Sequence, residues 1–210
     1  NNVIIEASSH GLHQRRLDNL NLKAGIFTNL SQDHLDYHKN MQNYFKAKLI
    51  LFKKLLSRKS LIITDDTIKE YSTIKKIAFK RKLKLLNIND TLKKIKDIKT
   101  TLIGDFQKKN LSMAIIAANA CNLNLSKIYK SINKIKSIDG RLELIKKFPN
   151  NIKVYVDYAH TPEALKKTLQ SLKDYHNQNI SVVFGCGGNR DIKKRPIMAK
   201  IAKSICEKIY

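Results

Sequence analysis

Short apolar runs take turns with stretches of helical period along this chain, and that alternation constrains its fold more than any other feature. Val3-Ile4-Ile5, Ala24 to Phe27, Leu61 to Ile63 and Lys84 to Leu86 each read as a strand, the first as a buried one. The periodicity between and after them predicts helices over about Gln42 to Leu56 and about Phe106 to Ala120, with a shorter one from roughly Leu125 to Ile135. Strands that alternate with helices favour an α/β layout around a largely parallel sheet.

Asp139-Gly140-Arg141 interrupts the pattern with turn residues, so a domain junction is expected there. Beyond it the alternation restarts: strand Ile152 to Val156, helix Pro162 to about Tyr175, strand Ile180 to Phe184, helix from about Pro196 to Glu207. Thr161 suits the N-cap and Pro162 the first helical position, while Leu165, Leu169 and Leu172 share one face. The chain opens on Asn1 rather than methionine and stops at Tyr210 as another strand is due, so flanking sequence is expected at both ends.

A hydrophobic content of 42% over 210 residues is enough for a true core. No apolar stretch approaches the roughly 20 residues that span a bilayer, and the opening residues show no signal-peptide pattern, so a soluble cytoplasmic protein is expected. Cys121, Cys186 and Cys206 lack Cys-x-x-Cys spacing and read as free thiols. The formal charge of +24 raises nucleic-acid binding as a class. The lysines are scattered along the whole chain among many Ile and Asn residues, and scattered charge reads as solvated surface rather than a footprint.

Four segments carry candidate chemistry. Glu6-Ala7-Ser8-Ser9-His10-Gly11-Leu12, with Gln14 and Arg16 after it, lies at the carboxyl end of a strand, where α/β sheets bind ligands. A carboxylate, hydroxyls and a glycine there suit a metal and an anion, and an ordinary strand-to-loop turn fits equally. Thr28 to His38 also follows a strand; His34 and His38 stand four apart with Asp33 and Asp36 beside them, a spacing open to one metal or to a helix cap.

On a helical wheel Phe45, Leu49, Phe52, Leu55 and Leu56 form one face with Lys48 among them, whereas Lys46, Lys53 and Lys54 point elsewhere. A desolvated lysine is partly neutral and able to act as a nucleophile or take up carbon dioxide, and a stem lying on apolar surface with its ammonium in water is the alternative. The fourth segment joins Gly140-Arg141-Leu142-Glu143, Val156 to Pro162 and Phe184 to Asp191. Gly185 and Gly187 imitate a dinucleotide fingerprint, but Arg190 stands where its third glycine belongs.

Together these segments resemble the MurE family of UDP-N-acetylmuramoyl-tripeptide synthetases. Glu6 to Leu12 is similar to the family's Glu-Val-Ser-Ser-His-Gly-Leu, with Ala7 for Val, and Phe27 to His38 to its Phe-Thr-Asn-Leu-Ser/Thr-x-Asp-His-Leu-Asp-Tyr-His. Ala47-Lys48 with Leu51-Phe52 resembles the helix of the family's modified lysine. Val156 to Pro162 and Phe184 to Asp191 resemble Val-Asp-Tyr-Ala-His-Thr-Pro and Phe-Gly-Cys-Gly-Gly-Asp-Arg-Asp, with Asn189 for Asp.

The resemblance implies an α/β chain in which residues 1–138 are the later part of a parallel-sheet central ATP-binding domain. Residues 139–210 would be the start of a Rossmann-like C-terminal ligase domain. It implies an ATP-dependent amide ligase that adds diaminopimelate or lysine to UDP-N-acetylmuramoyl-L-alanyl-D-glutamate in peptidoglycan synthesis. Glu6 and His34 would be magnesium ligands, with Lys48 as a carbamate; Ser8, Gln14 and Arg16 would hold the UDP-muramoyl peptide. Asn110, Arg141 and Asp157 would line the ATP site with His160 nearby, and Arg190 would meet the incoming amino acid. The family's P-loop and its Asp-Asn-Pro-Arg segment are not in this sequence, so the 210 residues alone are expected to be inactive. A monomer without a specific nucleic-acid partner or a membrane is expected. A folylpolyglutamate or cyanophycin type of ligase, or a basic nucleic-acid-binding module, is the alternative.

Overall fold

The computed structural model describes residues 2–187 and 191–210. The chain forms two compact units, each assembled from separated segments. The first holds residues up to Leu30, Tyr37–Asp97 and Lys109–Lys130; the second holds Ser31–Asp36, Ile98–Lys108 and Ser131–Tyr210. In chain order the first elements are α1 (Ser9–His13), β1 (Leu22–Phe27), α2 (Leu35–His38), α3 (Met41–Ile50), β2 (Leu56–Thr64), α4 (Tyr71–Arg81) and β3 (Lys84–Asn87). Then come α5 (Asn89–Ile95), α6 (Asp105–Ala120), α7 (Leu125–Ser131), β4 (Glu143–Lys147), β5 (Lys153–Val156), α8 (Pro162–His176), β6 (Ser181–Val182), α9 (Lys194–Ile205) and β7 (Lys208–Ile209).

In the first unit β1, β2 and β3 make a parallel sheet with β2 in the middle. Successive strand residues point to opposite faces, so the apolar run in β2 serves two cores. Ile62 packs with Phe27, Phe52, Leu56 and Ile74, and Ile63 with Ile88 and Met113; both isoleucines are fully buried. The register pairs Phe27 with Thr64 and Thr64 with Asn87, so the three strands end level. The carboxyl end of the sheet is therefore one flat rim.

The expected α/β alternation is present, with two departures in this unit. Val3 and Ile4 are 82% and 94% exposed and no strand pairs with them among the described residues, because an apolar run becomes a strand only where a neighbour supplies hydrogen bonds. The helix expected to reach Leu56 changes character instead. Asn40 caps α3 by accepting from the Asn43 N–H, and after Ile50 a wide π-type turn over Leu51–Leu55 leads straight into β2. That turn buries both Phe52 and Leu56, and Gly25 makes room: a Cβ there would lie 2.9 Å from Phe52 Cε1.

The second unit is built from short pieces. β4 and β5 form an antiparallel hairpin, of which only β5 is legible as an apolar run, and β6 pairs with β7 in parallel. β6 is shorter than the strand expected over Ile180 to Phe184, since its partner covers only Ser181 and Val182. Thr161 caps α8 by accepting from the Ala164 N–H, with Pro162 next, and α8 and α9 meet around Leu165, Leu169 and Met198. Among the described residues no helix is long and apolar enough to cross a membrane.

Candidate functional site

At the start of the first unit, Ser8 caps α1 by accepting from the Gly11 N–H at 3.1 Å, and Gln14 closes the helix. Glu6 and Arg16 are exposed on either side. Below them the rings of His10, His13, Tyr37, His38 and Tyr44 gather into one cluster, with His38 stacked on Tyr44. The buried His38 Nε2 lies 2.9 Å from Ser9 Oγ, which ties the start of α1 to α2. Lys48, one turn beyond Tyr44, holds its Nζ 5.1 Å from the Tyr44 ring centroid. It is half-buried, while Lys46, Lys53 and Lys54 are exposed, which is the division the helical wheel predicts.

Asn110 is exposed on α6. Its neighbour Lys109 reaches Asp65, one residue past the end of β2, with Nζ 2.5 Å from Oδ2. Asp65 is buried and also accepts from Thr67 N and Thr67 Oγ1 at 2.9 and 2.7 Å. Burial pushes its carboxyl upward, but Lys109 and the Thr67 donors outweigh that and hold it below the usual range. Asp66 beside it accepts from the amides of Asn87 and Asn89. None of these was singled out by the sequence pattern, although a Thr-Asp-Asp run directly after a central strand is a signal that the carboxyl-end rule would have caught.

In the second unit three of the expected residues share one loop system. Asp157 accepts from the backbone of Leu142 and Ala159, each at 2.9 Å, and from Thr168 Oγ1 at 3.1 Å. The Arg141 guanidinium stacks on Tyr158, 4.9 Å from the ring centroid, and the Arg141 carbonyl accepts from Gln107. His160 donates through Nδ1 to the Tyr158 carbonyl at 3.0 Å, places Nε2 3.2 Å from Asp33 Oδ2, and accepts at its own carbonyl from the buried Lys194. The same Asp33 oxygen faces His34 Nε2 at 3.4 Å. Burial raises the Asp33 carboxyl, yet His34 and His160 prevail and hold it below its ordinary value. Gln32 donates to Asp191 at 2.7 Å, next to Arg190, which lies outside the described residues.

Of the expected residues, Glu6, Ser8, Gln14, Arg16, Lys48 and Asn110 belong to the first unit, and His34, Arg141, Asp157 and His160 to the second. Among the described residues no three His, Cys, Asp or Glu side chains converge as a metal-binding group.

The order of these segments is matched by two family descriptions: Mur ligase middle domain over residues 1–94, and Mur ligase, glutamate ligase domain over residues 140–210. The chain belongs to the Mur ligase family. Among its curated relatives is the UDP-N-acetylmuramoyl-L-alanyl-D-glutamate–2,6-diaminopimelate ligase of Rickettsia bellii (strain RML369-C), 39% identical across 99% of this chain and 48% of the relative. The enzyme of the same name from Wigglesworthia glossinidia brevipalpis is 37% identical across 96% of the chain and 45% of its own length. The Mur ligase chain thus spans about half the length of the curated relatives it matches. A solved structure of a ligase bearing that name superposes with a TM-score of 0.64 at 28% identity, covering 97% of this chain and 46% of the other. MurF from Acinetobacter baumannii superposes at 0.70 with 16% identity over 89% of this chain and 46% of its own, a likeness of fold alone.

Proposed function

We propose that this Mur ligase chain works within an enzyme that joins diaminopimelate to UDP-N-acetylmuramoyl-L-alanyl-D-glutamate at the expense of ATP. The observation that carries the reading is the 39% identity over 99% of the chain to a ligase so named. In this reading residues 1–138 complete a central ATP-binding domain and residues 139–210 begin the C-terminal domain.

The chain's own residues suit the parts of that reaction. Ser8 before α1 and Gln14 and Arg16 after it offer a hydroxyl, an amide and a guanidinium for the muramoyl peptide. Asn110, Arg141 and Asp157 serve the nucleotide, the last two already aligned by Tyr158 and by the Leu142 and Ala159 amides. His160, held at both ring nitrogens, orients the loop beside them. Arg190 pairs with the carboxylate of the incoming amino acid, for which a planar guanidinium fork is suited.

Magnesium prefers oxygen ligands, and in this reading the Glu6 carboxylate would supply one. Glu6 is exposed, which leaves its carboxylate open to solvent. Lys48, held half-buried on Tyr44, would add two oxygens as a carbamate in place of a repelling ammonium, and His34 would supply an imidazole. When bound, the ion offsets charge that builds up during phosphoryl transfer. The test is an assay of the full-length ligase with each amino acid in turn. Diaminopimelate should be incorporated with a kcat/KM at least about a hundredfold above that of lysine; equal use of lysine would reject the assignment.

A further inference from the structure

We infer that Asp65 and Lys109 are positioning residues that hold the exposed face of α6, and with it Asn110, in place for the nucleotide. The inference rests on the reading of Asn110 as a nucleotide-binding residue and adds to it what fixes that residue.

The carboxyl ends of β1, β2 and β3 finish level, and ligands of open α/β sheets bind outside that rim. Asp65 leaves the rim from its middle strand. A buried carboxylate is costly unless its lone pairs are met, and this one is met by Thr67 N, Thr67 Oγ1 and Lys109 Nζ. Lys109 Nζ also lies 3.2 Å from Thr67 Oγ1, so the three side chains close a ring of contacts around one point. Thr67 anchors Asp65 to its own turn. Lys109 is the one member from α6, and thus the pair is a strut between the rim and the helix.

Asn110 follows Lys109 directly on α6 and is exposed. Consecutive residues of a helix point about 100° apart, so Lys109 turned toward the rim sets the direction of Asn110. Gln107, Leu111 and Ser112 are buried on the same stretch of α6, and Met113 and Ile115 beyond it, so the helix stays packed without the pair. Removing the ammonium leaves those contacts intact and takes away only the tie that sets the Asn110 turn against the rim. A charge-assisted contact with one partner buried is strong enough for this role, where an exposed pair would not be.

The test uses the full-length ligase and compares Lys109→Met, Asp65→Asn, Lys109→Arg, Asn110→Ala and the Lys109→Met/Asn110→Ala double variant. The expected result is a rise of about tenfold in the KM for ATP with Lys109→Met, with the KM of the muramoyl dipeptide and of the amino acid unchanged and kcat nearly so. Asp65→Asn, which keeps the Thr67 contacts, should do the same, and Lys109→Arg should retain most of the affinity. The double variant should be no worse for ATP than Asn110→Ala alone, because Lys109 acts through Asn110. Parallel losses in all three KM values, or losses that multiply in the double variant, would overturn the inference. If Lys109→Met does not fold, Asp65→Asn and Lys109→Arg decide the matter by the same KM pattern. If Asn110→Ala leaves the KM for ATP untouched, the reading of Asn110 itself fails and the inference falls with it; a defect in Asn110→Ala alone removes only the strut.

Discussion

The two units hold their candidate residues in opposite ways. In the second, Asp157 and His160 are gripped directly: backbone amides and a hydroxyl fill the carboxylate, and both imidazole nitrogens face oxygen. In the first, Glu6 and Asn110 are exposed and Lys48 is half-buried against Tyr44, and residues around them carry much of the restraint. Ser9 is tied to His38, Tyr44 lies under Lys48, and Lys109 is tied to Asp65. A group that must stay open to a ligand cannot spend its polar atoms on the protein, so the restraint moves to residues one to four positions along the chain.

The largest effect expected from this contrast is on Lys48. If it acts as a carbamate, Lys48→Ala in the full-length enzyme should lower kcat by about a hundredfold or more, and added short carboxylic acids should restore part of it. Lys46→Ala, on the exposed side of the same helix, should leave kcat within about twofold. Equal and small effects of both substitutions would remove Lys48 from the site.

Next comes the core. Ile63→Ala and Ile62→Ala each empty a fully buried site on one face of β2 and should cost about 2–5 kcal/mol in urea unfolding. Val154→Ala, on a hairpin strand and 40% exposed, should cost well under about 1 kcal/mol. A large loss at Val154 would show that the hairpin is buried in solution and would weaken the contrast.

The same contrast explains what the sequence made legible. Leu61 to Ile63 could be read because a sheet covered on both faces needs an uninterrupted apolar run, whereas β4, with Leu144 and Ile145 exposed, carries no such pattern. The inward turn of Lys48 was legible because a helical wheel is local. Asp65 with Lys109 and Asp33 with His160 were not, since the partners stand 44 and 127 residues apart and each side is an ordinary polar residue in its own segment. Val3-Ile4-Ile5 shows the converse: a local pattern does not make a strand without a partner.

A smaller stability effect is expected at Gly104 in the second unit. Its φ of +90° lies where side chains rarely go, and a Cβ would meet Ser171 Oγ. Gly104→Ala should cost roughly 1–3 kcal/mol. Pairing it with Ser171→Gly should recover the part due to the clash and leave the part due to φ. Full recovery would mean that backbone conformation contributes nothing there.

The smallest effect is a pH dependence that separates charge from packing in the first unit. Asp65 is held below its ordinary value in the folded chain, against about 3.9 when unfolded. Above that unfolded value both states are ionised and the full contribution of the Lys109 pair is present. As the pH falls below about 4, the unfolded chain binds the proton first, so stability declines until the folded value is passed. The group therefore adds no slope between pH 5 and 7 and a falling one below about 4. Asp65→Asn should lower stability at pH 7 by about 1 kcal/mol and flatten the acid limb of the urea midpoint by a matching amount. Asp33→Asn is the useful control, since Asp33 is also held low but answers to His34 and His160 in the second unit. If only Asp33→Asn flattened the acid limb, the Asp65 carboxylate would be held no lower folded than unfolded, and Lys109 would be no more than a surface contact.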